Sequence, residues 1–175
     1  MLYKFQKISN SVFNRKVSVF KERKVDMWGY YLDAKSLLKN FKRLNITFRG
    51  APKPPSWTLK HSLFGPYLAG LIDGDGDVRI KRKNYPQCVI RISSGSKQTA
   101  LANSIRKILK CSVGITYEEK DSEIEGRKIH GCTYYLEFYV SSKNFRFVNQ
   151  YILHNISLRY KKEKIENYIK SRWPE

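Results

Sequence analysis

Apolar and polar positions alternate along the middle of the chain. In Val78-Arg-Ile-Lys-Arg-Lys83, Val78 and Ile80 fall on one side of an extended strand, and Arg79, Lys81 and Lys83 on the other. Arg82 breaks the apolar side and marks the strand's outer end, and Asn84-Tyr-Pro86 supplies a turn. Gln87–Ser93 alternates again, with Cys88, Ile90 and Ile92 one way and Gln87, Val89, Arg91 and Ser93 the other. The pattern predicts a hairpin with an apolar back and a basic front free of acids. Opposed like charges destabilise a surface hairpin, so such a front points to phosphates and base edges. A third strand is expected over Val113–Glu118, then a polar, mobile turn from Glu119 to Gly131. A fourth, Thr133–Val140, sets Tyr134, Leu136, Phe138 and Val140 against Thr133, Tyr135, Glu137 and Tyr139.

Helical spacing governs the flanks. Tyr67, Leu68, Leu71 and Ile72 recur on one face, with Pro66 placed as a first-turn residue. Ser94 or Ser96 caps a helix running to about Lys110, with Ala100, Leu101, Ile105, Ile108 and Leu109 inward. Helices near Lys143–Leu153 and Leu158–Arg172 close the chain. Upstream, Asp26 caps a helix over residues 26–45 whose stripe is Tyr31, Ala34, Leu38, Phe41 and Leu44. Gly50-Ala-Pro-Lys-Pro-Pro-Ser56 reads as a linker, either a spacer or a basic arm following a DNA groove. The order helix, two strands, helix, two strands, helices is α+β: one antiparallel sheet with helices on its apolar face. The domain spans residues 61–175, behind a basic extension over 1–60.

Charge narrows the partner. The 175 residues carry a net charge of +19 and a pI near 9.9, which calls for a polyanion. No long uncharged apolar run is present, which argues against a membrane partner. Cys88, Cys111 and Cys132 lack both disulfide and zinc spacing and read as reduced, buried residues of an intracellular protein. The first 21 residues contain no acid. They read either as an organelle transit peptide or as a basic arm on DNA phosphates.

The stretch Leu68-Ala-Gly-Leu-Ile-Asp-Gly-Asp-Gly76 contradicts helix preference twice. Gly70 and Gly74 each cost about 1 kcal/mol relative to Ala, a cost offset where a second helix backbone approaches along the small stripe. Asp73, Asp75 and Asp77 crowd the negative end of the macrodipole, which fits a divalent metal.

LAGLIDGDG resembles the motif of the LAGLIDADG homing endonucleases, departing from that name-string only at Gly74. The resemblance covers about residue 63 to the C-terminus. It implies the same order of elements, with the sheet curved as a saddle over the DNA major groove. One-motif members are homodimers joined through the motif helices, which puts Leu68, Gly70, Leu71 and Gly74 at the interface. The resemblance assigns the catalytic cation, Mg²⁺ with Mn²⁺ possible, to Asp75 helped by the Gly74 carbonyl. Asp73 is expected to hold the end of the helix, and Asp77 to stand behind the ligands.

Gln98, Ser94 and Lys161, with Lys162 as alternative, map to the remaining active-site positions. Ser94 is a departure, being shorter than the residue usual there. DNA contacts fall to Arg79, Lys81, Lys83, Gln87, Arg91, Ser93, Thr133 and Tyr135. The site is expected to be a partial palindrome of roughly twenty base pairs. The implied function is a site-specific, metal-dependent endonuclease on double-stranded DNA. The alternatives are a maturase binding intron RNA, or a cleavage-inactive DNA-binding protein. Genes of this family often lie in organelle introns, which implies a mitochondrion or chloroplast.

Overall fold

The computed structural model describes residues 6–7, 10–11, 19–21, 28–30, 42–46, 50–124 and 126–174. They belong to two compact units, residues 1–46 and 47–175. In the first, β1 (Val19–Lys21) pairs antiparallel with β2 (Trp28–Tyr30), Phe20 opposite Gly29. The helix expected over 26–45 therefore does not include 28–30, where aromatic residues favour the extended form. Asp26, most of the apolar stripe and most of the acid-free N-terminus lie outside the described residues.

The second unit opens on the Pro-rich stretch. Pro54 and Pro55 are buried, and a 3-10 turn (Ser56–Leu59) follows, held by Thr58 Oγ1 donating to Pro55 O at 2.7 Å. The stretch is thus packed against its own unit. Helix α1 runs His61–Asp75, so it begins before Pro66, which sits inside it. Leu63 and Phe64 both donate to Lys60 O, closing the first turn upstream. The hydrogen bond that Pro66 cannot make would have gone to Ser62, which is exposed and can turn to water.

A four-stranded antiparallel sheet, ordered β3-β4-β6-β5, follows. Its strands are β3 (Gly76–Lys81), β4 (Gln87–Ser94), β5 (Val113–Ile124) and β6 (Arg127–Tyr139). Arg82, at φ 63°, ends β3, so Lys83 lies in the turn and not on the strand. Helix α2 (Thr99–Leu109) starts later than expected and has no side-chain cap. The Ser94 hydroxyl instead accepts from the Ser96 N–H within the preceding turn. Ala102 takes the inward place expected of Ala100. A short α3 (Phe145–Phe147) runs directly into a π-helical stretch, Val148–Leu153, and α4 is Arg159–Arg172.

Phe64, Leu68 and Ile72 of α1 and Leu101 and Ile105 of α2 bury against Val78, Cys88, Ile90, Ile92, Leu136 and Phe138 on the sheet's back. Gly65 meets the backbone and Cβ of Tyr151 with no room for a side chain, so α1 and the π-helical stretch pack in direct contact. Burial pushes the Cys88 thiol up to about 12, against the nearby Lys164 charge, leaving it unreactive. Cys111 and Cys132 are only partly buried.

The segment expected as a mobile turn is a hairpin arm. β5 and β6 stay in register from Glu118–Thr133 to Ile124–Arg127, seven pairs beyond the last pairing of β4 with β6 at Ser94–Tyr134.

Candidate nucleic-acid interface and active site

The motif helix ends in a reciprocal clasp. The Asp73 carboxylate accepts the backbone N–H groups of Ser157 (2.7 Å) and Leu158 (3.2 Å), and Leu158 is the residue that caps α4. Lys161, in the first turn of α4, donates from Nζ to Ile72 O at 2.6 Å and to Asp73 O at 3.1 Å. An anion thus meets the N-terminal end of α4, and a cation meets the C-terminal end of α1. The backbone then bends sharply. Gly76 donates to Ile72 O, and any Cβ there would sit 2.5 Å from Ile72 Cα, so only glycine lets β3 begin at that point.

The clasp leaves Asp75 exposed. Its carbonyl accepts from Ser93 Oγ at 2.8 Å, which ties the helix end to β4. Asp75, Ser93, Ser94, Gly95 and Thr133, with Gly50 and Pro52 of the Pro-rich stretch, line an open cleft of about 390 Å³. A larger cleft, of about 750 Å³, lies toward the other end of β6 between Lys110, Tyr139 and Lys143 and carries no residue of the motif.

Two expected active-site residues are elsewhere. Lys161 is 4% exposed and held by the α1 carbonyls, so it positions the helix end and does not line the cleft. Lys162 pairs with Glu166 at 3.7 Å. Gln98 is fully buried, and its Nε2 donates to Ile92 O (3.0 Å) and Tyr134 O (3.4 Å), stitching β4 to β6. Its Oε1 has no partner among the described residues.

The front of the sheet carries acids as well as cations, which corrects the expectation of a purely basic face. Asp77 accepts from Arg79 Nε and lies 3.9 Å from Arg91. Lys81 Nζ reaches Glu137 at 2.9 Å. The Arg91 guanidinium stacks on the Tyr135 ring at 4.3 Å, and the Tyr135 hydroxyl donates to Glu118 at 3.1 Å. Burial would raise the Asp77 carboxyl, but the hydrogen bond and charge of Arg79, with Arg91 and Lys164 nearby, hold it below its ordinary value. Gln87 stands at the outer end of β4, and Lys83 is exposed in the turn beside it.

The outward face of α1 is apolar and lightly covered. Leu63 and Gly70 are exposed, Tyr67 and Leu71 half-buried, and among the described residues a Cβ on Gly70 or Gly74 would touch nothing within 4 Å. Leu68 is not part of this face. It is wholly buried in the chain's own core, which removes it from the expected interface.

A divalent cation fits this donor set on one condition. Among the described residues no three His, Cys, Asp or Glu side chains cluster, and the cleft is lined by one carboxylate, Asp75, at the negative end of a helix. Mg²⁺ commonly takes one or two carboxylates and completes its shell with water and phosphate. Asp75 and the neighbouring Gly74 carbonyl would be the protein ligands of such a site. No helix among the described residues is long and apolar enough to cross a membrane.

The family model described as a LAGLIDADG-like domain matches residues 66–153. No curated relative matches the chain. The match spans half of the sequence, from the middle of α1 through the four-stranded sheet to the π-helical stretch, and the chain belongs to this LAGLIDADG family of homing endonucleases and maturases.

Proposed function

We propose that this LAGLIDADG-family chain is a site-specific endonuclease that hydrolyses double-stranded DNA as a homodimer, on a partly palindromic site of roughly twenty base pairs. One observation carries the reading: of the acids ending the motif helix, Asp73 is consumed by the α4 cap while Asp75 stands free in a hydroxyl-lined cleft.

Members of the family bind DNA, often as dimers, and typically use divalent metals. Here Asp75 and the Gly74 carbonyl would hold the cation, and the glycine face of α1 would meet its copy in a second chain. When bound, Mg²⁺ activates water and stabilises the leaving 3′ oxygen. The chain's own groups do the rest. Ser93 fixes the Asp75 backbone, and the Ser94 and Thr133 hydroxyls line the cleft, within which they can donate to phosphate oxygens or water. Lys161 and Asp73 keep the helix end from fraying under the repulsion of two nearby Asp75 carboxylates. Arg79, Lys81, Arg91 and Tyr135 would read base edges, arginine and lysine favouring guanine O6 and N7.

The test is cleavage of a randomised partial-palindrome duplex library with Mg²⁺, sequencing the cut ends. Discrete sites with two-fold symmetry are expected. A folded, dimeric protein that cuts nothing, yet binds intron RNA with nanomolar affinity, would replace this reading with the maturase one.

A further inference from the structure

The cations at the middle of the sheet's front are paired within the chain. Arg79 and Arg91 share Asp77, and Lys81 pairs with Glu137. This occurs in a chain of net charge +19. Asp77, Arg91 and Glu137 stand in one row across β3, β4 and β6, a cation between two carboxylates. A surface built only to hold the phosphate backbone gains from uncompensated cations, since each neutralised phosphate releases counterions. Carboxylates at the centre of the face work against that.

We propose that Asp77 and Glu137 are specificity-determining residues: they neutralise Arg79, Arg91 and Lys81 internally, deny the face to phosphates, and yield the cations to bases that offer a matching partner. The matched partner is a G·C pair in the major groove, where guanine O6 and N7 take the cation and the cytosine N4 amino group donates to the carboxylate. The exchange is cheap. The Arg79 and Asp77 side chains are 47% and 44% exposed, and ion pairs at such sites hold weakly. A phosphate offers no donor to the released carboxylate and is repelled by it. This inference rests on the duplex-DNA reading of the sheet.

The test uses full-length Asp77→Asn and Glu137→Gln, isosteric changes at solvent-facing positions. Folding is checked by thermal melting. Binding to a random duplex, and to a site selected from a randomised library, is titrated across salt. On random DNA the log–log salt slope is expected to steepen by about 0.9 for Glu137→Gln and up to about 1.8 for Asp77→Asn, one step of 0.9 per freed cation. Preference for the selected site should fall about tenfold. Adding Arg79→Gln to Asp77→Asn should take back about half of the steepening, whereas Arg79→Gln alone should change the random-duplex slope little. Unchanged slopes with full site preference in both carboxylate variants would overturn the inference. Wild-type protein that binds no duplex at any salt would overturn the DNA reading itself, and this inference with it.

Discussion

Replacing Asp73 with alanine separates the structural acid of the motif from the chemical one. The carboxylate accepts two backbone N–H groups at the start of α4, at 2.7 and 3.2 Å. Loss of an N-terminal cap costs about 1 kcal/mol, and loss of a negative charge at that helix end costs about 0.3–1 kcal/mol more. Two partly buried donors are also left unpaired. The expected destabilisation is about 2 kcal/mol. For a domain of this size each kcal/mol moves Tm by about 3–4 °C, so the melting point should fall by about 6–8 °C. Asp73→Asn keeps an acceptor oxygen but not the charge and should lose about half as much. Urea denaturation at neutral pH, followed by circular dichroism, measures both. An Asp73→Ala protein as stable as wild type would refute the clasp between α1 and α4.

Asp75→Asn should leave the unfolding free energy from urea denaturation within about 0.5 kcal/mol of wild type while abolishing cleavage and preserving duplex binding; retained cleavage would remove Asp75 from the chemistry. Gly65→Ala forces a methyl group into Tyr151 and should destabilise by about 1–3 kcal/mol, read as a lower urea midpoint. Gly70→Ala meets nothing within 4 Å among the described residues and should add up to about 1 kcal/mol of helix stability. It should also weaken dimerisation in sedimentation runs over a protein-concentration series, and an equally tight dimer would exclude close helix approach at Gly70. Asp77 has a lowered folded pKa, so its contribution is complete above the unfolded value of about 3.9 and is lost as pH falls through the lower folded value. The stability gap between wild type and Asp77→Asn should hold from pH 7 to about pH 5 and close below about pH 4; a gap that already closes near pH 6 would contradict the assignment.

The alternations that predicted β4 and β6 held because their apolar sets had one place to go, whereas Ile80, expected beside Val78 on the back, is 48% exposed near the end of β3, and Val89, expected on the front, is fully buried. Cys88, Ile90, Ile92, Leu136 and Phe138 are all fully buried on one face, and a one-residue slip would have turned them outward. The arm from Glu119 to Gly131 has no such signal, since polar residues fall on both of its faces and Ile124 and Ile129 are its only large apolar side chains. It stays extended through its ladder and cross-strand pairs such as His130 Nδ1 with Asp121 at 2.7 Å. The acids on the front were visible one strand at a time but not as neighbours. Only the register places Asp77 and Glu137 on either side of Arg91. The burial of Lys161 was equally hidden, because it depends on α4 returning to residues 88 and 89 positions earlier in the chain.

The division of labour between the motif's acids follows from helix geometry. Asp73 and Asp75 both lie in α1, two residues and about 200° apart around a helix with 3.6 residues per turn. They cannot face the same neighbour. One of them had to point toward the packed side, where an unpaired carboxylate would be costly and the N–H groups of Ser157 and Leu158, just before α4, are waiting. The other had to point away, to the cleft. Asp77 stands beyond Gly76, where the chain is already a strand, and its direction follows the period of two and not of 3.6. That turns it toward Arg79 and Arg91 on the front. Three acids at even spacing are thus sent to three environments by a single change of backbone period at Gly76, and only the middle one has a carboxylate left, among the described residues, to solvent and whatever the cleft receives.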